Sequence, residues 1–256
     1  MAKWDPSKWE IHQLYAAHDL GKLFPPTAIL SLDSLSEYLN RYDSVYVKGR
    51  NEHTGFGIIK AWKTSNGYRY VKVRGNPGET DSIEQLFEKV KDGRRPSSVL
   101  VQRTIDLAEI EGRPYSVRLM LMRDGEGDWQ YAGMLAKVAG EDSVVTNVRR
   151  GGGYATTIER ALSKSLGFTR RKIEDMKEKL IDTSYRLVRY ATRRGYRTYE
   201  TGFDFGIDKQ GRIWVIEVNL AYPSYGLFNR LEDKTYYRRI KKLAEAYKGR
   251  RTERKS

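Results

Sequence analysis

The spacing of hydrophobic and polar residues changes character many times along this chain, and no single period dominates. Short apolar or alternating runs predict strands at Thr27 to Leu30, Val45 to Lys48, Ile58 to Lys63 and Tyr68 to Arg74. Further strands are expected at Val99 to Gln102, Ser116 to Met122, Trp129 to Val138 and Val144 to Val148. Helical spacing appears from Asp5-Pro6 to about His18, with Ile11, Leu14 and Tyr15 on one face. A capping box, Ser34 to Glu37, opens a second helix. Amphipathic patterns predict helices over Asp81 to Lys91, Thr156 to Leu166, Thr169 to Arg194 and Asp233 to Tyr247. Thr156 and Glu159 form the expected cap of the Thr156 to Leu166 helix, and Gly195 closes the Thr169 to Arg194 helix. Strands and helices are interspersed without a repeat, which is an α+β pattern.

The most informative stretch is Glu200 to Gly226, ETGFDFGIDKQGRIWVIEVNLAYPSYG. Thr201 to Asp208 and Arg212 to Leu220 read as a β-hairpin joined at Lys209-Gln210-Gly211. Strict alternation puts Val215, Glu217 and Asn219 on one face. A tight turn pairing Asp208 with Gly211 sets Asp204 opposite Val215, one diagonal step from Glu217. Two carboxylates and an amide carbonyl then share a patch, an all-oxygen set suited to magnesium. The same residues also suit a solvated sheet face.

Hydrophobic content of 39% and charged content of 31% describe a soluble globular chain. No apolar run is long enough for a membrane span, and the N-terminus has no signal-peptide core. There is no cysteine, which excludes disulfides and thiolate catalysis, and the three histidines make no zinc pattern. The net charge of +14, from 47 basic and 33 acidic residues, favours anionic partners. The basic residues form no motif of a nucleic-acid module, so nucleic acid is not the expected partner.

Three more places carry candidate chemistry. Lys48 ends a strand and leads into Gly49 to Gly57, a loop whose glycines, Gly55 and Gly57 among them, let backbone N–H groups approach phosphate oxygens. An ordinary hairpin loop with a surface lysine has the same appearance. Arg118 lies inside an apolar strand and needs a partner, either an acid or a phosphate. Thr146-Asn147-Val148-Arg149-Arg150-Gly151-Gly152-Gly153 joins an amide and two guanidinium forks to mobile glycines.

In this order, these strings resemble the ATP-grasp superfamily, nearest to its YheC/YheD-like, spore-coat-associated branch. The resemblance runs from Lys8 to Gly226, through SKWEIHQL, VYVKGRNEHTGFGI, VLVQRTIDLAEIEGRPYSVRLML, WQYAGMLAKVAG, VVTNVRRGGG and GFDFGIDKQGRIWVIEVN. It implies an ATP-grasp fold over residues 1–248, two α+β subdomains holding the nucleotide between antiparallel sheets. The smaller glycine-loop subdomain is expected at about 50–100, the larger at about 101–248, and a disordered basic tail at 249–256. It implies that Lys8 and Lys48 contact nucleotide phosphates, helped by Gly55 and Gly57. Gln102, Arg103, Thr104 and Ile105 match the segment whose backbone meets adenine. Arg118, Asn147 and Arg150 match groups around the transferring phosphate. Asp204, Glu217 and Asn219 match the ligands of one or two magnesium ions, with manganese an alternative.

The implied reaction joins a carboxylate to an amine through an acyl phosphate, releasing ADP and phosphate. Small-molecule or peptide substrates are expected, acidic ones fitting the charge. A non-catalytic nucleotide-binding or spore-coat structural protein that holds an acidic partner is the alternative. Three departures stand out. Gly49 replaces the family's usual proline, and Lys137 stands where related chains often carry arginine. The chain also begins almost directly at the nucleotide-binding part, where the family commonly has a further N-terminal domain. A partner chain supplying that domain, a peptide substrate or a shortened sequence would each account for this. A cytoplasmic, spore-associated location follows from the same resemblance.

Overall fold

A computed structural model describes residues 6–52, 57–73, 75–141, 143, 146 and 152–253. Two compact units emerge, Ser7–Asp106 with Ala139–Tyr154, and Met1–Pro6 with Leu107–Val138 and Ala155–Ser256.

The first unit opens with helix α1 (Lys8–Ala16), capped by Ser7, whose hydroxyl accepts from the Glu10 N–H while Glu10 bonds back. Then come β1 (Thr27–Ile29), α2 (Leu32–Arg41), β2 (Ser44–Gly49), β3 (Ile59–Thr64), β4 (Gly67–Lys72), β5 (Gly78–Thr80), α3 (Ile83–Lys91) and β6 (Val99–Arg103). The strands form an antiparallel sheet in the order β1-β6-β2-β3-β4-β5. Its inward residues Val45, Val47, Ile59, Ala61, Val99 and Val101 are buried against Leu35 and Leu39 of α2 and Leu86 and Val90 of α3. Alternation therefore sends Tyr46, Lys48 and Gln102 to the other face of the sheet.

The second unit contains β7 (Glu109–Ile110), β8 (Arg113–Arg123), β9 (Trp129–Val138), β10 (Tyr154–Thr156), α4 (Ile158–Leu166), α5 (Arg170–Arg193), β11 (Glu200–Ile207), β12 (Ile213–Asn219) and α6 (Thr235–Glu253). Its sheet runs β10-β9-β8-β11-β12, with β7 paired to β8. Helix α5 buries Ile173, Met176, Leu180, Leu187 and Ala191 along one stripe, as the amphipathic pattern over Thr169 to Arg194 requires. Residues directly opposite in an antiparallel pair share a face. Met120, Gly133 and Gly202 lie side by side on one face, and so do Leu135, Arg118, Asp204 and Glu217. At one end of that face Met120, Met122, Ala132 and Leu135 pack under Phe228, Leu231 and Ile240, the last from α6. The polar row is left at the other end. A core of hydrocarbon thus fixes the helix, and the polar row occupies the part of the same face that this core does not fill.

Several boundaries differ from the sequence reading. Helix α2 starts at Leu32, because Ser31 and Ser34 cap each other's backbone and the Ser34–Glu37 pairing does not form. Helix α4 is capped by Thr157, and Thr156 is spent in β10 instead. Helix α6 continues to Glu253, past Tyr247. Val144, Val145, Asn147 and Val148 lie outside the described residues, as do Asp5, Gly55, Arg149, Arg150 and Gly151.

Candidate active site

In the first unit the site is cationic. Lys48 donates to Gln102 Oε1 at 2.8 Å. Gln102 in turn donates through Nε2 to Thr27 Oγ1 at 2.7 Å, and Thr27 donates to the Pro25 carbonyl at 2.9 Å. This chain fixes the amide so that its oxygen faces the ammonium. Lys8 lies at the first turn of α1, donating from Nζ to the Glu52 carbonyl, and its backbone N–H bonds the Arg50 carbonyl at 3.0 Å. One turn along α1 stands His12. Its imidazole is held below the usual histidine value by burial and, secondarily, by the charge of Lys48. Lys8 and His12 share a helix face at i, i+4 spacing, so both are on the side of α1 that senses Lys48.

The segment after Gln102 is held on both flanks at the end of β6. Arg103 donates its N–H to the Pro26 carbonyl at 3.0 Å and lays its guanidinium over Tyr42. Thr104 donates its N–H to the Ser44 carbonyl at 3.1 Å, and Ile105 follows half-buried.

The glycine loop has a fastening that the sequence did not reveal. Arg94, just past α3, donates from Nη1 to both oxygens of Glu52 at 3.2 and 3.0 Å and to the Gly57 carbonyl at 3.2 Å. Its other nitrogens hold the Lys91 and Val90 carbonyls. Glu52 Oε2 accepts the Gly49 N–H at 3.2 Å. One ion pair therefore ties both ends of the loop to a helix. Gly57 has a φ of +68°, and a β-carbon there would lie 2.7 Å from Glu52 Oε2. Forty-two residues separate Glu52 from Arg94, and no local pattern links them.

In the second unit the site is a row of charges. Arg118 grips Asp204 with two bonds, Nε to Oδ1 at 2.7 Å and Nη2 to Oδ2 at 3.0 Å. Its Nη1 donates to the Ser224 carbonyl at 2.9 Å. Lys137 reaches Asp204 Oδ1 at 2.9 Å. Of the two partners open to Arg118 in the sequence, the structure supplies the acid. Asp204 and Lys137 are buried, at 5% and 8% exposure, so neither charge has water to fall back on. Burial alone would raise the Asp204 carboxyl, but Arg118 and Lys137 outweigh it and hold it well below the ordinary carboxylate range. Burial also lowers the Lys137 ammonium, with the Arg118 charge adding to it.

The hairpin register corrects the sequence expectation. The Gly211 N–H closes the tight turn on the Asp208 carbonyl at 2.8 Å, but the strand partner of Asp208 is Arg212, whose carbonyl accepts the Asp208 N–H at 3.0 Å. The Asp208 carboxylate accepts from the N–H groups of Gln210 and Arg212 and from Trp214 Nε1. A bulge follows at Asp204/Phe205. Phe205 then faces Val215, and Asp204 directly faces Glu217. Val215 is thereby turned to the buried side with Phe205, while Glu217 and Asn219 stay half-buried on the Asp204 side. Gly202 sits opposite Asn219, and Pro223 packs where its side chain would be. The extra residue improves on the diagonal arrangement by making the carboxylates nearest neighbours.

The family described as YheC/D-like ATP-grasp matches residues 3–248. The chain belongs to the YheC/D-like ATP-grasp family. Two curated relatives come from Bacillus subtilis strain 168. The endospore coat-associated protein YheD is 26% identical over 238 residues, covering 87% of this chain and 49% of YheD. The endospore coat-associated protein YheC is 22% identical over 226 residues, covering 84% and 59%. The chain thus spans about half the length of the first and under two thirds of the second. Among solved structures, the C-terminal domain of K. lactis Pby1, an ATP-grasp enzyme interacting with the mRNA decapping enzyme Dcp2, has a TM-score of 0.50. It is 15% identical, with 89% of this chain and 66% of that chain covered. The fold is ATP-grasp, α+β with two antiparallel sheets.

ATP-grasp proteins generally use ATP and Mg2+, and the donor set of this family member fits such an ion. Among the described residues no three acidic or histidine side chains gather into a cage. What the hairpin offers is Glu217, Asn219 and the remaining lone pairs of Asp204, and magnesium usually takes one or two carboxylates together with water and substrate phosphates. Arg118, Lys137, Asp204 and Glu217 sum to zero formal charge. A divalent ion added there leaves an excess of two positive charges, which favours a polyphosphate.

Proposed function

We propose that this protein is an ATP-dependent carboxylate–amine ligase. Membership of the ATP-grasp family supports ATP-dependent ligase-type activity. The observation that carries the finer reading is the charge row on β8, β9, β11 and β12, where two cations and two carboxylates converge beside an amide. In the reaction, a substrate carboxylate oxygen attacks the γ-phosphorus and ADP leaves. An amine then attacks the acyl carbon, phosphate leaves, and the amine gives up a proton.

Each residue has a physical task in that scheme. Lys48, oriented by Gln102, and Lys8, anchored at the loop, offset phosphate charge. Glu217, Asn219 and Asp204 would hold Mg2+, which when bound supplies charge stabilisation to the phosphoryl group. Arg118 and Lys137 supply positive charge where the acyl oxygen and transferring phosphate develop negative charge. No side chain need form a covalent bond. Asn147 and Arg150, assigned to the same task by resemblance, lie outside the described residues.

Two measurements test this reading. Incubation with ATP, Mg2+ and a pool of amino acids and acidic peptides, followed by mass spectrometry, is expected to show condensation products together with ADP. Nucleotide binding without any product would favour a non-catalytic, coat-associated role, in line with the printed names of YheC and YheD. The second measurement needs no turnover. Phosphates placed beside Lys48 would cancel the charge that lowers His12, so the His12 imidazole pKa is expected to rise when a non-hydrolysable ATP analogue is added. An unchanged His12 titration by NMR would remove Lys48 from the phosphate site.

Arg94 gives a further expectation. Arg94→Met frees both ends of the glycine loop and is expected to weaken ATP-analogue binding ~10-fold, since small displacements of positioning groups are costly. Arg94→Lys keeps charge without the fork, so it should recover only part of the affinity. Isothermal titration of both variants checks this, with thermal melting to separate it from loss of fold.

A further inference from the structure

We infer that the tyrosine row Tyr222–Tyr199–Tyr247, with Arg197 and Lys248 beside it, is a docking surface for an acidic peptide chain whose carboxylate is presented to the oxygen site. Its purpose rests on the ligase reading, but its existence can be tested without turnover.

Tyr222 stands three residues beyond Asn219. It is 75% exposed, the larger of the two exposures among big hydrophobic side chains in the described residues. Its φ is +48°, a conformation that bulky side chains rarely adopt, and it precedes Pro223, where extended backbone is favoured. Two anchors impose that shape. Pro223 rests on Gly202, and the Ser224 carbonyl is held by Arg118. Both anchors are on the face that carries Asp204 and Glu217. The fold therefore places a strained, solvent-facing ring beside the candidate site, a combination that concentrates at ligand contacts.

The ring does not stand alone. Its edge meets Tyr199 at 6.2 Å between centroids and 78° between planes. Tyr199 stacks on Tyr247 of α6 at 5.0 Å and 9°. Cations adjoin it in the chain, Arg197 two residues before Tyr199 and Lys248 directly after Tyr247. From Arg186 to Arg197 there are five arginines and no acid, and Arg193, Arg194 and Arg197 are exposed. Lys248 follows Tyr247, is exposed, and acts on the buried Glu200 carboxyl. Exposed acids are present as well: Glu245 on α6, and Glu126 and Asp128 in the turn after β8. There a β-carbon at Gly125 would lie 3.7 Å from Ala246, and the Arg123 N–H bonds the Tyr199 carbonyl. Tyr199 and Tyr247 already cover each other's faces, so the row offers few open rings for nucleobases. It offers guanidinium, ammonium and phenol donors, which suit carboxylates.

The test is fluorescence anisotropy with fluorescein-labelled oligo-L-glutamate on the full chain, without ATP. Wild type is expected to bind, with affinity falling as salt is raised. The Arg197→Glu/Lys248→Glu variant is expected to bind about 10-fold more weakly, because like charges now face the peptide. Tyr222→Asn keeps a residue that tolerates positive φ while removing the ring. It is expected to melt no lower than wild type yet to bind several-fold more weakly. Lys89→Glu on α3, in the other unit, should change nothing. Absence of binding, or equal binding by all variants, would overturn the inference. Tighter binding of labelled oligouridylate through the same residues would overturn it in favour of nucleic acid. Peptide binding without condensation products in the mass-spectrometric assay would sink the ligase reading alone; products without peptide binding would sink this inference alone.

Discussion

Asp204→Ala is expected to destabilise the folded protein by about 3–5 kcal/mol, the usual cost of leaving buried charges without their partner. Arg118 and Lys137 would then sit near each other with Glu217 as the neighbouring acid that attracts both. Chemical denaturation would measure the loss. A companion variant separates pairing from packing. Changing Arg118 and Lys137 to Met and Asp204 to Leu together removes all three charges and should recover much of the stability, since apolar replacements of buried ion groups are often neutral or better. That variant should still lack ATP-dependent activity. The pH dependence has a definite sign. The Asp204 carboxyl titrates far lower when folded than when unfolded, with Arg118 and Lys137 as the cause. Its contribution is therefore fully present above about pH 4, the unfolded value. It is lost as pH falls from there toward the folded value. Wild-type stability should decline over that range more steeply than that of Asp204→Ala. Equal slopes would mean that the ion pairs do not hold the proton off.

Glu217→Gln should have the opposite profile, a large loss of activity with little loss of stability. Glu217 is half-buried on β12, and the amide keeps its shape. A metal-held charge is worth several kcal/mol to phosphoryl transfer, so ADP formation should fall by roughly 100-fold or more. The melting temperature should stay close to that of wild type. A large fall in melting temperature together with normal ADP formation would move Glu217 from chemistry to structure.

Much of this architecture could be read from residue spacing, and what escaped has identifiable physical origins. The stripe of α5 was readable because one face of a long amphipathic helix has no competing period. The capping residue of α2 was not, since Ser31, Ser34 and Glu37 offer two overlapping boxes and only the surrounding packing chooses. In the hairpin, Asp204, Glu217 and Asn219 were recognisable as a set, but their register was not. Strict alternation ignores bulges, and the bulge is fixed by how Phe203, Phe205, Val215 and Val218 pack on the far face. The partner of Arg118 depended on the pairing of β8 with β11, 86 residues apart in sequence. Glu52 and Arg94 left no trace in the sequence because neither periodicity nor turn chemistry links a loop carboxylate to a helix end so far away.

The Gly49–Glu52 contact bears on how this chain can drift. Proline, the residue that related chains usually carry after the loop lysine, has no N–H to give Glu52 and would push its ring carbons into that side chain. Positions 49 and 52 are therefore expected to be exchanged as a couple. A variant with proline at 49 would first have to release Arg94 from its present bond, and would then need some other means of anchoring the loop.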